Sequence, residues 1–433
     1  MSTPLYATDA AVAALAAARP QLVDVVAARD VVAHLAAGGA CHAGPPIAPQ
    51  AMCGPMRAAL GVALALEGVG GGDAPAALAL ADAGEIALLP NHDAGGVGPM
   101  SGVVTGSMPV LVARDEATGA TAWCPLNEGS GKVLRYGADD EEVVTRLVWM
   151  RDVLAPELAR ALAEQGPLDL FELHARSLEL GDECHHRTEA GTALIADALA
   201  PLSDEVDAFV RANGQFFLNV AMVFAKLALV CAEGVAGSPL VTAVARNGVE
   251  VGVRLSGTGE RWFTGPAAMP DPAALYPGHT LDEMQADLGD SAIIEVYGLG
   301  ALAIGSSPLS APSVGLDPAT IDERMATLWR IAAGEHPGLS LVSAAGERSP
   351  AILGVDARAV VREGIVPPIH TGIAHRQAGV GQIGGGVTLP PLEAFAAAVA
   401  ALDACGASGA SGASGASYAS WPTPEIRTAP GGR

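Results

Sequence analysis

Apolar residues recur at helical spacing through residues 8 to 40, which predicts Ala-rich amphipathic helices broken at Pro20 and ended by Gly38-Gly39. A Pro-rich loop at 42–49 follows, and Gly54-Pro55-Met56 opens another Ala/Leu helix, with proline placed early where its missing N–H costs nothing. Between 84 and 137 the pattern changes to short apolar runs at 85–89, 108–113 and 121–126, predicted as strands because Gly, Pro, Asn and Asp clusters separate them. Helical periodicity returns over 139–235, in segments 141–162 (interrupted at Pro156), 168–180, 188–199, 203–212 and 215–233. Apolar alternation at 241–245 and 249–253 around Arg246-Asn247-Gly248 predicts a hairpin that begins a second α/β region. The pattern thus predicts a mixed α/β (α+β) fold: an N-terminal α/β region at 1–138, a helical subdomain at 139–235, a C-terminal α/β region at 236–402, and a flexible Gly-Ala-Ser tail at 403–433.

Composition narrows the function classes. A chain of 433 residues exceeds what one hydrophobic core usually serves, and with 50% hydrophobic but only 4% aromatic residues, Ala, Val and Leu must fill most of the interior. A formal charge of −23 argues against nucleic acid or an anionic membrane as a general partner, so an anionic substrate needs a local basic pocket. No charge-free apolar run reaches ~18 residues and no signal core opens the chain, which makes a cytoplasmic enzyme the expectation. Six scattered cysteines with no Cys-x-x-Cys pair read as reduced thiols rather than disulfides or a zinc knuckle.

Against this apolar background, Asp182-Glu183-Cys184-His185-His186-Arg187 is a dense polar run between two helical stretches. Continued as helix, it would set Asp182, His185, His186 and Glu189 on neighbouring turns and pair Glu183 with Arg187, bringing carboxylate to imidazole as acid/base work requires. The alternative is a salt-bridged helix start capped by Asp182. Asn91-His92-Asp93, with Gly95, Gly96 and Gly98, could present backbone N–H groups to an anion with His92 at the mouth, or could be a plain glycine turn. Asn127-Glu128-Gly129-Ser130-Gly131-Lys132 lacks the spacing of a nucleotide loop, yet Lys132 and Arg135 could hold a phosphate or carboxylate. Arg261 beside Trp262 and Phe263 could stack or bind a carboxylate. Gly298-Leu299-Gly300 lacks the acidic residue of a dinucleotide turn, whereas His370, His375 and Arg376 precede glycines suited to a ligand.

These blocks together resemble the AllG-type family of oxamate carbamoyltransferase subunits. The resemblance is carried by Cys53-Gly54-Pro55-Met56, Val97-Gly98-Pro99-Met100, Leu126-Asn127-Glu128-Gly129, Gly181-Asp182-Glu183-Cys184-His185, Ala245-Arg246-Asn247-Gly248, Gly289-Asp290-Ser291-Ala292 and Thr371-Gly372-Ile373-Ala374-His375, within residues 8 to 400. It implies a role in ureide catabolism beside an FdrA-like partner and a small third subunit, with homo-oligomer formation, and the reaction of oxalurate and phosphate to oxamate and carbamoyl phosphate. Such chemistry asks for cations for phosphate and carboxylate, donors for an oxyanion, and an acid for the leaving nitrogen. His185 with Asp182 or Glu183 is the expected acid and His92 an expected oxyanion donor, all four as catalytic residues. Arg187, Lys132, Arg135 and Arg261 are the expected anion-binding cations, and the shared blocks add Asn127, Glu128, Arg246, Asn247, His370 and His375 to the substrate-binding set. No cofactor or metal is required. A hydrolase with a metal at His185 or His92, and a noncatalytic subunit, are the alternatives.

Overall fold

The computed structural model describes residues 9–343 and 345–408, and its fold is mixed α+β, as the pattern predicts. The first departure is at residues 20–27. Helix Ala10–Ala17 is followed by strand Pro20–Ala27 where the reading expected helix. The run Leu22-Val23-Asp24-Val25-Val26 carries β-branched residues on both faces, and pairing with Pro109–Asp115 satisfies the backbone that a short isolated helix would leave exposed. That sheet is antiparallel throughout, in the order Thr121–Pro125, Pro109–Asp115, Pro20–Ala27, Leu168–Asp169.

The long helical expectations at 139–235 become helices Glu141–Trp149, Ala155–Gln165, Leu170–Glu179, Glu189–Ala198, Asp204–Ala212 and Phe216–Val230, with a π-helical turn Met150–Leu154 joining the first two. Helix Phe216–Val230 is buried and apolar apart from Asn219 and Lys226, which is the signature of a core helix. Among the described residues no single helix is long and apolar enough to cross a membrane. This helix packs on strands Thr121–Pro125 and Pro109–Asp115 and on helix Ile293–Tyr297, so one apolar core includes Leu15, Leu111, Phe224, Val244 and Phe395.

In the C-terminal region the order Leu288–Gly289, Val241–Asn247, Glu250–Leu255, Phe263–Pro266 forms a second antiparallel sheet, and Asp271–Leu275, Gln382–Thr388, Ile369–Ala374 a third. The predicted hairpin is present, but Arg246 and Asn247 lie in its first strand and the turn falls at Gly248, whose φ is +81°. The last helix, Leu392–Ser408, runs past residue 402, where the tail was expected to begin; the rest of that segment lies outside the described residues. All six cysteines are free.

Candidate active site

Residues 181–188 form no helix. They cross between helices Leu170–Glu179 and Glu189–Ala198, with Gly181 at φ +94° and Cys184 at φ +72°, conformations that end helical propagation. Asp182 therefore does not face His185. Its carboxylate accepts from Ser177 Oγ (2.7 Å) and from the N–H groups of Gly191 (2.8 Å) and Ala190 (3.4 Å), so it caps the following helix. Burial raises its pKa against these donors.

Glu183 turns the other way. Its Oε1 accepts from the backbone N–H of Arg187 (2.6 Å) rather than from its guanidinium, and its Oε2 lies 3.2 Å from Nδ1 of His370 on strand Ile369–Ala374. Burial would raise the Glu183 carboxyl, but the field and hydrogen bond of His370 prevail and hold it at about 2. Burial likewise disfavours charge on His370, yet Glu183 and Glu295 raise its pKa above the ordinary histidine value.

His185 finds its carboxylate 110 residues away: Nδ1 is 2.7 Å from Oε1 of Glu295, on helix Ile293–Tyr297. The same oxygen accepts from the N–H groups of Ala301 (3.2 Å) and His370 (3.3 Å). Gly300 makes this approach possible. Its φ is +58°, and a Cβ there would stand 2.3 Å from Glu295 Oε1.

The result is two buried imidazole–carboxylate pairs whose rings lie 6.1 Å apart. Each carboxylate takes Nδ1, which fixes the ring and leaves Nε2 for other work. His370 Nε2 and Glu295 Oε2 are buried without a hydrogen bond, and so is Nε of Arg187, 3.5 Å from both Asp182 and Glu189. His186 stands edge-on to His370 and bonds Ser313 Oγ at 2.7 Å. A positioned proton donor, a second imidazole and a nearby guanidinium are the groups needed to move a proton beside an anion.

A second buried polar cluster adjoins the first through Thr371, whose hydroxyl donates to Asp287 (2.8 Å). Asp287 also pairs with fully buried Arg246 (2.8 Å), which bonds the Gly289 carbonyl (2.5 Å). Asp290 accepts from Asn91 Nδ2 and from the N–H groups of Gly44 and Gly98, each at 2.9 Å; burial still pushes it up to about 6. His92 lies 4.0 Å from Asp290, and both its ring nitrogens lack hydrogen bonds. Burial, then the fields of Lys226, Arg254 and Arg246, lower its pKa well below the ordinary value, so it is a neutral imidazole. Asp93 is taken by Arg254, which lies over the Trp262 ring at 4.0 Å.

Several candidates stand apart. Asn127 bonds Asn219 (2.8 Å) and the N–H of Gly129 (2.9 Å), and Glu128 accepts the N–H groups of Leu134 (2.5 Å) and Arg135 (3.1 Å), so both brace their loop. Lys132 is exposed and paired with Asp140, and Arg261 is exposed over Phe263. Asn247 closes its own turn by accepting the N–H groups of Val249 and Glu250.

His375 joins His279 and Glu283, the group among the described residues whose potential metal-ligand atoms lie within 4.8 Å of one another; neither His185 nor His92 belongs to it. Yet His375 Nδ1 accepts from the Gln377 N–H (2.9 Å), which leaves Nε2 carrying the proton and directed to Glu283 (3.7 Å). That tautomer suits a hydrogen bond rather than coordination.

The sequence reading missed Glu295, Asp287 and Asp290 as site residues. Glu295 had a signal, a lone acid within Ile293-Ile294-Glu295-Val296-Tyr297, since a charge in a buried apolar run needs a partner.

A family model described as oxamate carbamoyltransferase subunit AllG matches residues 86–291. The chain is 40% identical over 403 residues to the oxamate carbamoyltransferase subunit AllG of Escherichia coli (strain K12), covering 88% of this chain and 93% of that one. It is 37% identical over 393 residues to the uncharacterized protein YahG of the same organism, covering 88% and 82% respectively. The crystal structure of a conserved protein of unknown function from Enterococcus faecalis V583 matches with a TM-score of 0.87 at 37% identity, over 91% of this chain and 96% of that one.

Proposed function

Because the chain belongs to the AllG family of oxamate carbamoyltransferase subunits, we propose that it serves in such a complex and supplies the proton-transfer centre for carbamoyl transfer between a ureido acid and phosphate. The observation that carries this reading is the pair of opposed dyads, Glu183–His370 and Glu295–His185, each holding an imidazole by Nδ1.

In the direction of oxalurate breakdown, a phosphate oxygen attacks the ureido carbonyl carbon. The tetrahedral species then loses its C–N bond to the oxamate nitrogen, giving carbamoyl phosphate. That nitrogen leaves only if it gains a proton, and His370 Nε2–H is the donor in this account. The Glu183 carboxylate, ionised beside it, favours the charged form of the imidazole and raises its pKa above the ordinary value. His185, oriented by Glu295, is the second imidazole and takes the proton of the attacking phosphate. Arg187 is the cation for phosphate or substrate carboxylate. Oxalurate, the FdrA-like partner and the small third subunit belong to this proposal.

The test is a pH series on the chain reconstituted with its partner subunits. With oxalurate and phosphate, turnover should fall as pH rises through the His370 pKa, above its ordinary 6.5. With carbamoyl phosphate and oxamate, where the same group must accept a proton, the limb should invert. A noncatalytic subunit predicts that His370→Gln leaves both limbs in place; loss of the limb with assembly intact supports the proposal.

A further inference from the structure

Three buried polar atoms that make no hydrogen bond, Arg135 Nη1, Ser101 Oγ and Ser107 Oγ, belong to residues lining one cavity of about 30 Å³. Neither imidazole pair borders it. Its polar edge is rigid. The Ser101 N–H donates to the Arg135 carbonyl (3.0 Å), and the Ser107 N–H donates to Glu67 (2.7 Å). Arg135 spends Nη2 on the Gly129 carbonyl (2.6 Å), while Nη1 stays 3.9 Å from a Glu128 carboxylate already taken by two backbone N–H groups. One edge of a guanidinium that is about nine-tenths buried is therefore unspent.

The lining also includes the apolar side chains Leu126, Leu134, Leu147 and Met150. Two irregularities of the backbone meet here. Met150 begins the π-helical turn, a rare form found mostly at functional sites, and Met100, beside Ser101, is held at φ +55°. Unpaired donors and apolar side chains lining the same cavity suit a ligand with a charged end and a compact hydrocarbon body.

We propose that this cavity binds a small organic carboxylate, its oxygens accepting from Arg135 Nη1 and the hydroxyls of Ser101 and Ser107, its body against Leu126, Leu134 and Met150. The site is separate from the carbamoyl-transfer reading and needs neither phosphate nor a partner subunit. A cavity of about 30 Å³ also holds two or three waters at ~10–15 Å³ each, and the experiment separates water from carboxylate.

Thermal unfolding of the full chain is followed against isobutyrate, acetate and inorganic phosphate at matched ionic strength. Isobutyrate should raise the Tm saturably, acetate more weakly, and phosphate not at all. Arg135→Gln and Ser107→Ala should each weaken isobutyrate binding about 10-fold or more, the scale of a lost charged hydrogen bond, while Lys132→Ala leaves it unchanged. Should Arg135→Gln fail to fold, Ser107→Ala decides. A saturable shift that survives Ser107→Ala, no shift with either carboxylate, or a phosphate effect as large as that of isobutyrate overturns the proposal.

Discussion

Glu183→Gln removes the charge but keeps the shape of the carboxylate that faces His370, and its effect on stability can be worked from the structure. Folding takes the Glu183 carboxyl from 4.5 to about 2, which at ~1.4 kcal/mol per pH unit is a contribution of about 3 kcal/mol. Leaving a buried partner uncompensated costs a similar ~3–5 kcal/mol. The sign follows from both groups. Glu183 lies below its unfolded value, so its contribution is present above pH about 4.5 and vanishes as pH falls through about 2. His370 lies above its unfolded 6.5, so its contribution is present below that pH and is lost as pH rises through the folded value. The pair therefore stabilises most between pH about 4.5 and 6.5. Urea unfolding followed by tryptophan fluorescence at pH 5.5 should separate wild type from Glu183→Gln by about 3 kcal/mol, with the gap narrowing at pH 9. A gap below about 1 kcal/mol at pH 5.5, or one that widens towards pH 9, refutes the ion-pair reasoning.

Other substitutions separate structural from chemical roles. Asp182→Ala strips a helix cap and leaves Ser177 and the Gly191 N–H unpaired; it should cost about 2–3 kcal/mol in denaturant melts yet leave the turnover of correctly assembled complex unchanged. Gly300→Ala drives a methyl to within 2.3 Å of the Glu295 carboxylate from a positive-φ position, so melts should show a loss of about 1–3 kcal/mol and turnover should fall about 10-fold as His185 loses its register. Lys132→Ala and Arg261→Ala alter exposed cations away from the dyads; stability should stay within about 0.5 kcal/mol and turnover at the wild-type value.

The polar run at 182–187 was legible as chemistry, but its internal partners were not. Helical spacing pairs Asp182 with His185, whereas Gly181 and the positive φ of Cys184 break the helix and send neighbouring side chains in opposite directions. Their actual carboxylate and imidazole partners come from Glu295 and His370, more than 100 residues away, a placement set by tertiary packing rather than by periodicity. The hairpin at 241–255 was legible because Asn-Gly dictates its turn locally, and helix Phe216–Val230 because its apolar residues run at helical spacing. Strand Pro20–Ala27 was not, since Leu22, Val23, Val25 and Val26 fall at spacings that fit either period and pairing with Pro109–Asp115 decided the outcome.

The central claim is that this subunit moves the proton, and His370→Gln tests it most directly. With the complex assembled and its melting profile recorded, phosphate release from carbamoyl phosphate and oxamate should fall about 100-fold or more, the scale of a lost general acid–base. Turnover within about twofold of wild type in the intact complex would place the chemistry in another subunit and contradict the account.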